Sequence, residues 1–142
     1  MRITTYSDYS LRLLMLLAIE EERLVTISEV AEAYDISRAH IMKVAHQLGI
    51  AGLVETVRGR SGGLRLAKPP EVIRIGEVLR LTEPDFDMVP CFEAPDMCRI
   101  TSGCLLKNAL GEATSAYLGV LDRYTLADLV ADQRALKALL AV

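Results

Sequence analysis

Apolar residues in the first third of the chain recur at helical spacing, broken by capping signals. From Thr5 to Ile19, Leu11, Met15 and Ala18 follow an i, i+4, i+7 pattern. Leu14 and Leu17 widen the same face, which predicts an amphipathic helix. Thr26-Ile27-Ser28-Glu29 is a capping box: the Thr26 hydroxyl accepts from the Glu29 amide while the Glu29 carboxylate reaches back to the Thr26 amide. The helix it opens runs to about Tyr34. After the short turn Tyr34-Asp35-Ile36, Ser37 caps a third helix over Arg38 to Ala51, and Gly52 supplies a left-handed stop. Two capped helices across a tight turn make a helix-turn-helix.

The period then changes to two. Leu53 to Val57 alternates and is β-branched, Arg58-Gly59-Arg60-Ser61-Gly62-Gly63 forms a turn, and Leu64-Arg65-Leu66 returns. This predicts a β-hairpin, and a hairpin after a helix-turn-helix is a wing. The turn geometry alone accounts for Gly62 and Gly63. A short helix is expected over Ile75 to Leu81. An irregular loop with Pro90, Pro95 and Gly103 follows. From about Ser102 to Tyr124 a long helix carries Leu106, Leu110, Ala113, Tyr117, Leu121 and Tyr124 on one stripe, a wide apolar face that needs a partner. Thr125-Leu126-Ala127-Asp128 caps a short helix, and Arg134 to Leu140 predicts another. The expected fold is mainly α with a small β-hairpin wing. Residues 1–85 form a winged helix-turn-helix, residues 86–104 a metal-type loop, and residues 105–142 the dimerisation helix and C-terminal helices.

With 142 residues, the chain has room for one core plus an extension. No apolar run approaches the roughly 20 residues of a membrane span. The opening Met1-Arg2-Ile3 leads into Thr, Tyr, Ser and Asp, not into a secretory signal, so a cytoplasmic protein is expected. The net charge is −3, yet Ile36 to Pro70 holds Arg38, Lys43, Arg58, Arg60, Arg65 and Lys68 against Glu55 alone. Nucleic-acid binding needs a basic face, not a basic protein. Ser37, Arg38, His40 and Lys43 begin the expected recognition helix, where side chains reach bases and flanking phosphates. Arg58 and Arg60 flank Gly59 at the wing tip and suit an electronegative minor groove. His40 and His46 are far in sequence from any cysteine and read better as DNA-contact or helix-surface residues than as metal ligands. No base sits beside a reactive thiol, so an enzyme is not expected.

The chain's three cysteines all fall in Cys91-x6-Cys98-x5-Cys104. Prolines and charges around them are poor core material, which disfavours a packing role. Two of the three can pair as a thiol redox switch. The preferred reading is a soft metal or an iron–sulfur cluster, which thiolates favour. Zinc more often takes closely spaced cysteine pairs. A cluster normally needs a fourth ligand, and Glu93, Asp96, Asp87, the distant Asp8 and the histidines are all candidates.

Three segments together carry a resemblance: Met1-Arg-Ile-Thr-Thr-Tyr-Ser-Asp-Tyr-Ser-Leu-Arg12, the wing Val57-Arg-Gly-Arg-Ser-Gly-Gly-Leu-Arg-Leu-Ala-Lys-Pro69, and Tyr124-Thr-Leu-Ala-Asp-Leu-Val130. Over its full length the chain resembles a family of winged-helix iron–sulfur transcription regulators that includes IscR and RirA. Within that family it resembles the nitric-oxide-sensing repressors. The resemblance implies a homodimer on a palindromic DNA operator. It also implies a [4Fe-4S] cluster in each protomer, with [2Fe-2S] as the alternative, and repression relieved when nitric oxide attacks the cluster. It makes Cys91, Cys98 and Cys104 the thiolate ligands and Asp8, from the other protomer's first helix, the fourth. Arg12 is placed near the cluster. On the residues alone, Asp8 reads as a charge on the helix dipole. The six-residue first gap lies between the shorter spacing of the nitric-oxide branch and the longer one of RirA, which keeps an iron-responsive regulator open. Asp8 stands where RirA-like chains carry Asn, and Lys107 stands where IscR has its histidine ligand.

Overall fold

The computed structural model describes residues 2–94, 96 and 98–141. Its elements are α1 (Thr5–Ile19), α2 (Ile27–Tyr34), α3 (Arg38–Ile50), β1 (Val54–Val57), β2 (Gly63–Leu66), α4 (Ile75–Thr82), α5 (Leu105–Leu121), α6 (Leu126–Leu129) and α7 (Gln133–Leu140). Pro95, one of the residues expected to break the cysteine loop, lies outside the described residues.

Helix α1 is the axis of the core. Leu13, Leu14, Leu16, Leu17, Ala18 and Ile19 are buried, and the helix packs against α2, α3, α4, α6, α7 and β2. The Thr4 hydroxyl caps it by accepting from the Ser7 amide at 3.2 Å. The Thr26 capping box is formed in both directions, and Ser37 accepts from the His40 amide at 3.3 Å. The turn between α2 and α3 depends on Asp35, which adopts φ 51°. Asp is among the few non-glycine residues that tolerate this left-handed region. Buried Val30, Ile36, Ile41, Val44 and Leu48 seat the helix-turn-helix on α1.

The wing is a two-stranded antiparallel hairpin with Val54 opposite Leu66 and Thr56 opposite Leu64. Leu64 also bridges to Val25, which ties the hairpin to the loop before α2. The glycines of the turn divide the work. Gly59 takes a positive φ of 116°. Gly62 and Gly63 are required by close approach: a Cβ on Gly62 would strike the Val57 carbonyl oxygen, and one on Gly63 would lie 2.9 Å from the Val25 carbonyl oxygen.

The long helix is shorter than its apolar pattern suggested. Thr101–Gly103 form a 3-10 turn, and α5 proper starts at Leu105. At its far end it is fastened to α4. The Asp122 carboxylate accepts from both terminal nitrogens of Arg80, at 2.5 and 2.8 Å, and the Asp122 carbonyl accepts from Arg74 at 2.8 Å. Gly76 leaves room for this contact, since a Cβ there would run into the Asp122 carboxylate. Along its length α5 has no buried residue, and Leu105 and Leu106 are 82% and 65% exposed. Helix α7 returns to the core through Leu136, Leu140 and an ion pair from Lys137 to the buried Glu20 at 2.8 Å. No described helix is long and apolar enough to cross a membrane.

Candidate DNA interface and metal loop

The buried face of α3 is Ile41, Val44, Ala45 and Leu48. Helical spacing turns Ala39, Met42, Lys43 and His46 to the opposite side, and all four are exposed. Arg38 is exposed on the first turn, beside the Ser37 cap. His40 is turned to the flank: its ring centroid lies 5.9 Å from that of Tyr9 on α1. It lines a hollow of about 480 Å³ with Tyr9, Lys43 and Gln47. Arg58 and Arg60 are exposed at the wing tip. Arg65 is also exposed, but its Nε sits 2.9 Å from Glu55 Oε2, and the Arg65 guanidinium holds the Glu55 carboxyl below its ordinary value. The unneutralised charge of the wing therefore concentrates at its tip. Sequence reading passed over Met42, which is 59% exposed. The signal was present, because Met42 falls out of phase with the apolar period of α3.

The cysteine loop separates this unit from α5. Cys91 and Cys104 are half-buried, Cys98 is exposed, and all three are unpaired. Cys104 occupies the N-cap of α5, where its Sγ accepts from the Lys107 amide at 3.4 Å. Serine, threonine, aspartate or asparagine usually hold such a position. A cysteine there places its sulfur against the first-turn amides of α5. The donor chemistry thus fits a thiophilic metal group: three reduced sulfurs on one irregular segment, one of them facing the positive end of a helix. Among the described residues, no three His, Cys, Asp or Glu side chains gather into a metal-holding group. Asp8 and the cysteines are therefore not assembled within one protomer.

Asp8 lies on the outer face of α1, paired with Arg12 at 3.0 Å. Arg12 in turn lies over the Tyr34 ring, 5.8 Å from its centroid. Burial raises the Tyr34 phenol's pKa, and the Arg12 charge offsets part of that rise. Tyr34 is the last residue of α2 and directly precedes the left-handed Asp35. Asp8, Arg12 and Tyr34 thus form one line of contact from α1 to the turn that aims α3.

Comparison with known proteins bears on the helix-turn-helix and the wing. Residues 3–132 match the model of the Rrf2 family, described as "Iron-dependent Transcriptional regulator". The HTH-type transcriptional regulator NsrR of Bacillus subtilis (strain 168) is 52% identical over 142 residues, spanning 99% of this chain and 97% of that protein. The protein of the same name from Bacillus licheniformis is 50% identical over 143 residues, spanning 99% and 100%. Among solved structures, IscR of T. potens superposes with a TM-score of 0.75 at 27% identity, covering 93% of this chain and 88% of that one. The helix-turn-helix and wing are those of a DNA-binding transcription regulator, not of an enzyme. The chain belongs to the Rrf2 family of iron-dependent transcriptional regulators.

Proposed function

We propose that this chain is a cytoplasmic, homodimeric repressor that senses nitric oxide through an iron–sulfur cluster, one per protomer and of the [4Fe-4S] type. Cys91, Cys98 and Cys104 would hold the cluster, with Asp8 of the partner subunit as fourth ligand. The observation that carries this reading is a coincidence of two needs on one surface. Three unpaired thiols stand on the loop that leads into α5, with Cys104 at the N-cap of that helix, and the apolar N-terminal turn of α5 is left exposed by its own chain at Leu105 and Leu106. A second protomer laid along α5 would cover Leu105 and Leu106 and bring its own α1 towards the thiols.

When bound, such a cluster supplies iron that takes up small π-acid ligands such as nitric oxide. The protein's own part is to convert occupancy into DNA affinity. Asp8 has two possible partners, Arg12 of its own helix and a metal next to it. A carboxylate engaged elsewhere frees Arg12, and Arg12 packs on Tyr34 at the end of α2. The two states of Asp8 would then favour two angles between α1 and the helix-turn-helix, and so two spacings of the paired recognition helices on a palindromic operator. Departure of the cluster relieves repression in this scheme.

The test uses anaerobically purified protein with its iron and sulfide measured. Nitric oxide should abolish DNA binding quickly, together with the cluster's absorbance, and a mild iron chelator alone should act slowly. Equal speed with the chelator, together with an Asp8→Ala variant that behaves as wild type, would replace nitric oxide by iron as the signal. Full DNA regulation by disulfide formation in iron-free protein would leave a thiol switch instead.

A further inference from the structure

The recognition helix carries a residue that neither its core nor its charge explains. Met42 is 59% exposed on α3, while Ile41, Val44, Ala45 and Leu48 fill the buried face. A large apolar side chain is there beside the exposed cations Arg38 and Lys43 of its own helix, and Arg58 and Arg60 are exposed on the wing that follows. The flanking cations suit phosphates and place the helix in the major groove. Ala39, one turn earlier on the same side, is also exposed and too small to hold Met42 away from a groove floor. The other large apolar residue exposed on α3, Ile50, is 70% exposed at the last turn. It lies far from the N-terminal turns that reach base edges. His40 lies on the side of α3 that faces Tyr9, 5.9 Å between ring centroids.

In the major groove, the one methyl group an unmodified base pair presents is the C5-methyl of thymine. We propose that Met42, with Ala39 beside it, is a sequence-determining residue that reads thymine methyl groups in each operator half-site. The inference rests on the DNA-binding reading of α3 and adds the base feature recognised. The unbranched thioether is suited to the task, because a flexible polarizable chain adapts to a methyl at slightly different heights. Lys43 and Arg38 then supply affinity without this discrimination.

The experiment removes only the methyl. A preferred duplex is selected from a random pool with the full-length, anaerobically purified protein. Each thymine is then replaced in turn by deoxyuridine, and binding is measured by fluorescence anisotropy at one stated salt concentration. Wild-type protein should lose about fourfold in affinity at one or two thymines per half-site, the effect of withdrawing one buried methyl. Met42→Ala should bind the parent duplex more weakly and should no longer distinguish thymine from deoxyuridine at one of those positions. Lys43→Ala should weaken binding to every duplex alike and keep the methyl preference. Met42 is exposed, so its removal leaves the fold intact, which circular dichroism checks. Indifference of the wild type to every deoxyuridine, or full methyl sensitivity in Met42→Ala, would overturn the assignment. Failure to select any sequence would instead remove the DNA-reading role of α3 itself, and this inference with it.

Discussion

Helices α1 and α5 are similar in length and both rich in leucine, yet they have opposite surroundings. In α1, Leu13 and Leu14 are fully buried and Leu16 and Leu17 nearly so, enclosed by the helix-turn-helix, the wing, α4 and the C-terminal helices. In α5 nothing is buried, and Leu105 is 82% exposed. One chain thus contains a region that satisfies its own hydrophobic demand and a region that does not. The apolar periodicity of a helix says that a face will be covered. It does not say by which molecule.

The largest expected effects would break this comparison. Leu14→Ala should lower unfolding stability by about 2–5 kcal/mol, the usual result of emptying a core site, as read from urea denaturation. Leu106→Asp should leave the helical circular dichroism of each protomer in place but convert the protein to a monomer in sedimentation. If Leu106→Asp instead destabilised a monomer as much as Leu14→Ala does, α5 would be part of its own chain's core and the contrast would be false.

A smaller effect concerns how the self-contained region is closed. The Lys137 ammonium, with Arg23 second, holds the Glu20 carboxyl below its ordinary value against the opposing effect of burial. Glu29 is lowered too, first by the Thr26 amide. A carboxyl depressed in the folded state stabilises fully above its unfolded value, and the contribution fades as pH falls through the carboxylate range to the folded value. Stability should therefore drop in acid. Lys137→Met should cost about 1–2 kcal/mol at neutral pH, the worth of a hydrogen bond to a charged group lowered by solvent screening of the partly exposed ammonium. Its acid decline should be shallower than that of wild type. An unchanged pH profile would mean that α7 is held by Leu136 and Leu140 alone.

The smallest effects separate charges within the wing. Arg60→Ala should weaken DNA binding and reduce its salt slope by about one. Arg65→Ala should change both little, because Glu55 already neutralises Arg65. Equal losses in the two variants would mean that the strand face, and not the tip, meets the DNA.

Much of the self-contained region was legible in the sequence because its signals are local. Thr26, Ser37 and Thr125 sit where caps belong and cap as expected. Gly52 takes the left-handed stop, with φ 71°. What escaped was non-local. Turn geometry suggested Gly62 and Gly63, but their necessity comes from the backbone of Val57 and of Val25. The Gly76 contact with Asp122 joins residues from α4 and the end of α5 and leaves no trace in either segment's pattern. The neighbourhood of the His40 and Tyr9 rings, 5.9 Å apart between α3 and α1, also leaves no trace in either segment's pattern. The cysteine loop was legible as three clustered thiols and not as geometry, since the spacing of Cys91, Cys98 and Cys104 along an irregular segment does not fix where each sulfur stands.

In the proposed dimer, the exposed apolar turn of α5 and the unpaired thiols are two halves of one assembly. Native mass spectrometry of anaerobically purified protein tests it directly, because it weighs protomers and bound iron and sulfide together. The account predicts a dimer carrying one iron–sulfur cluster per protomer, and Cys91→Ala, Cys98→Ala and Cys104→Ala variants that stay folded but lose the cluster mass. A monomer, or a wild-type dimer with no bound iron or sulfide, would contradict it.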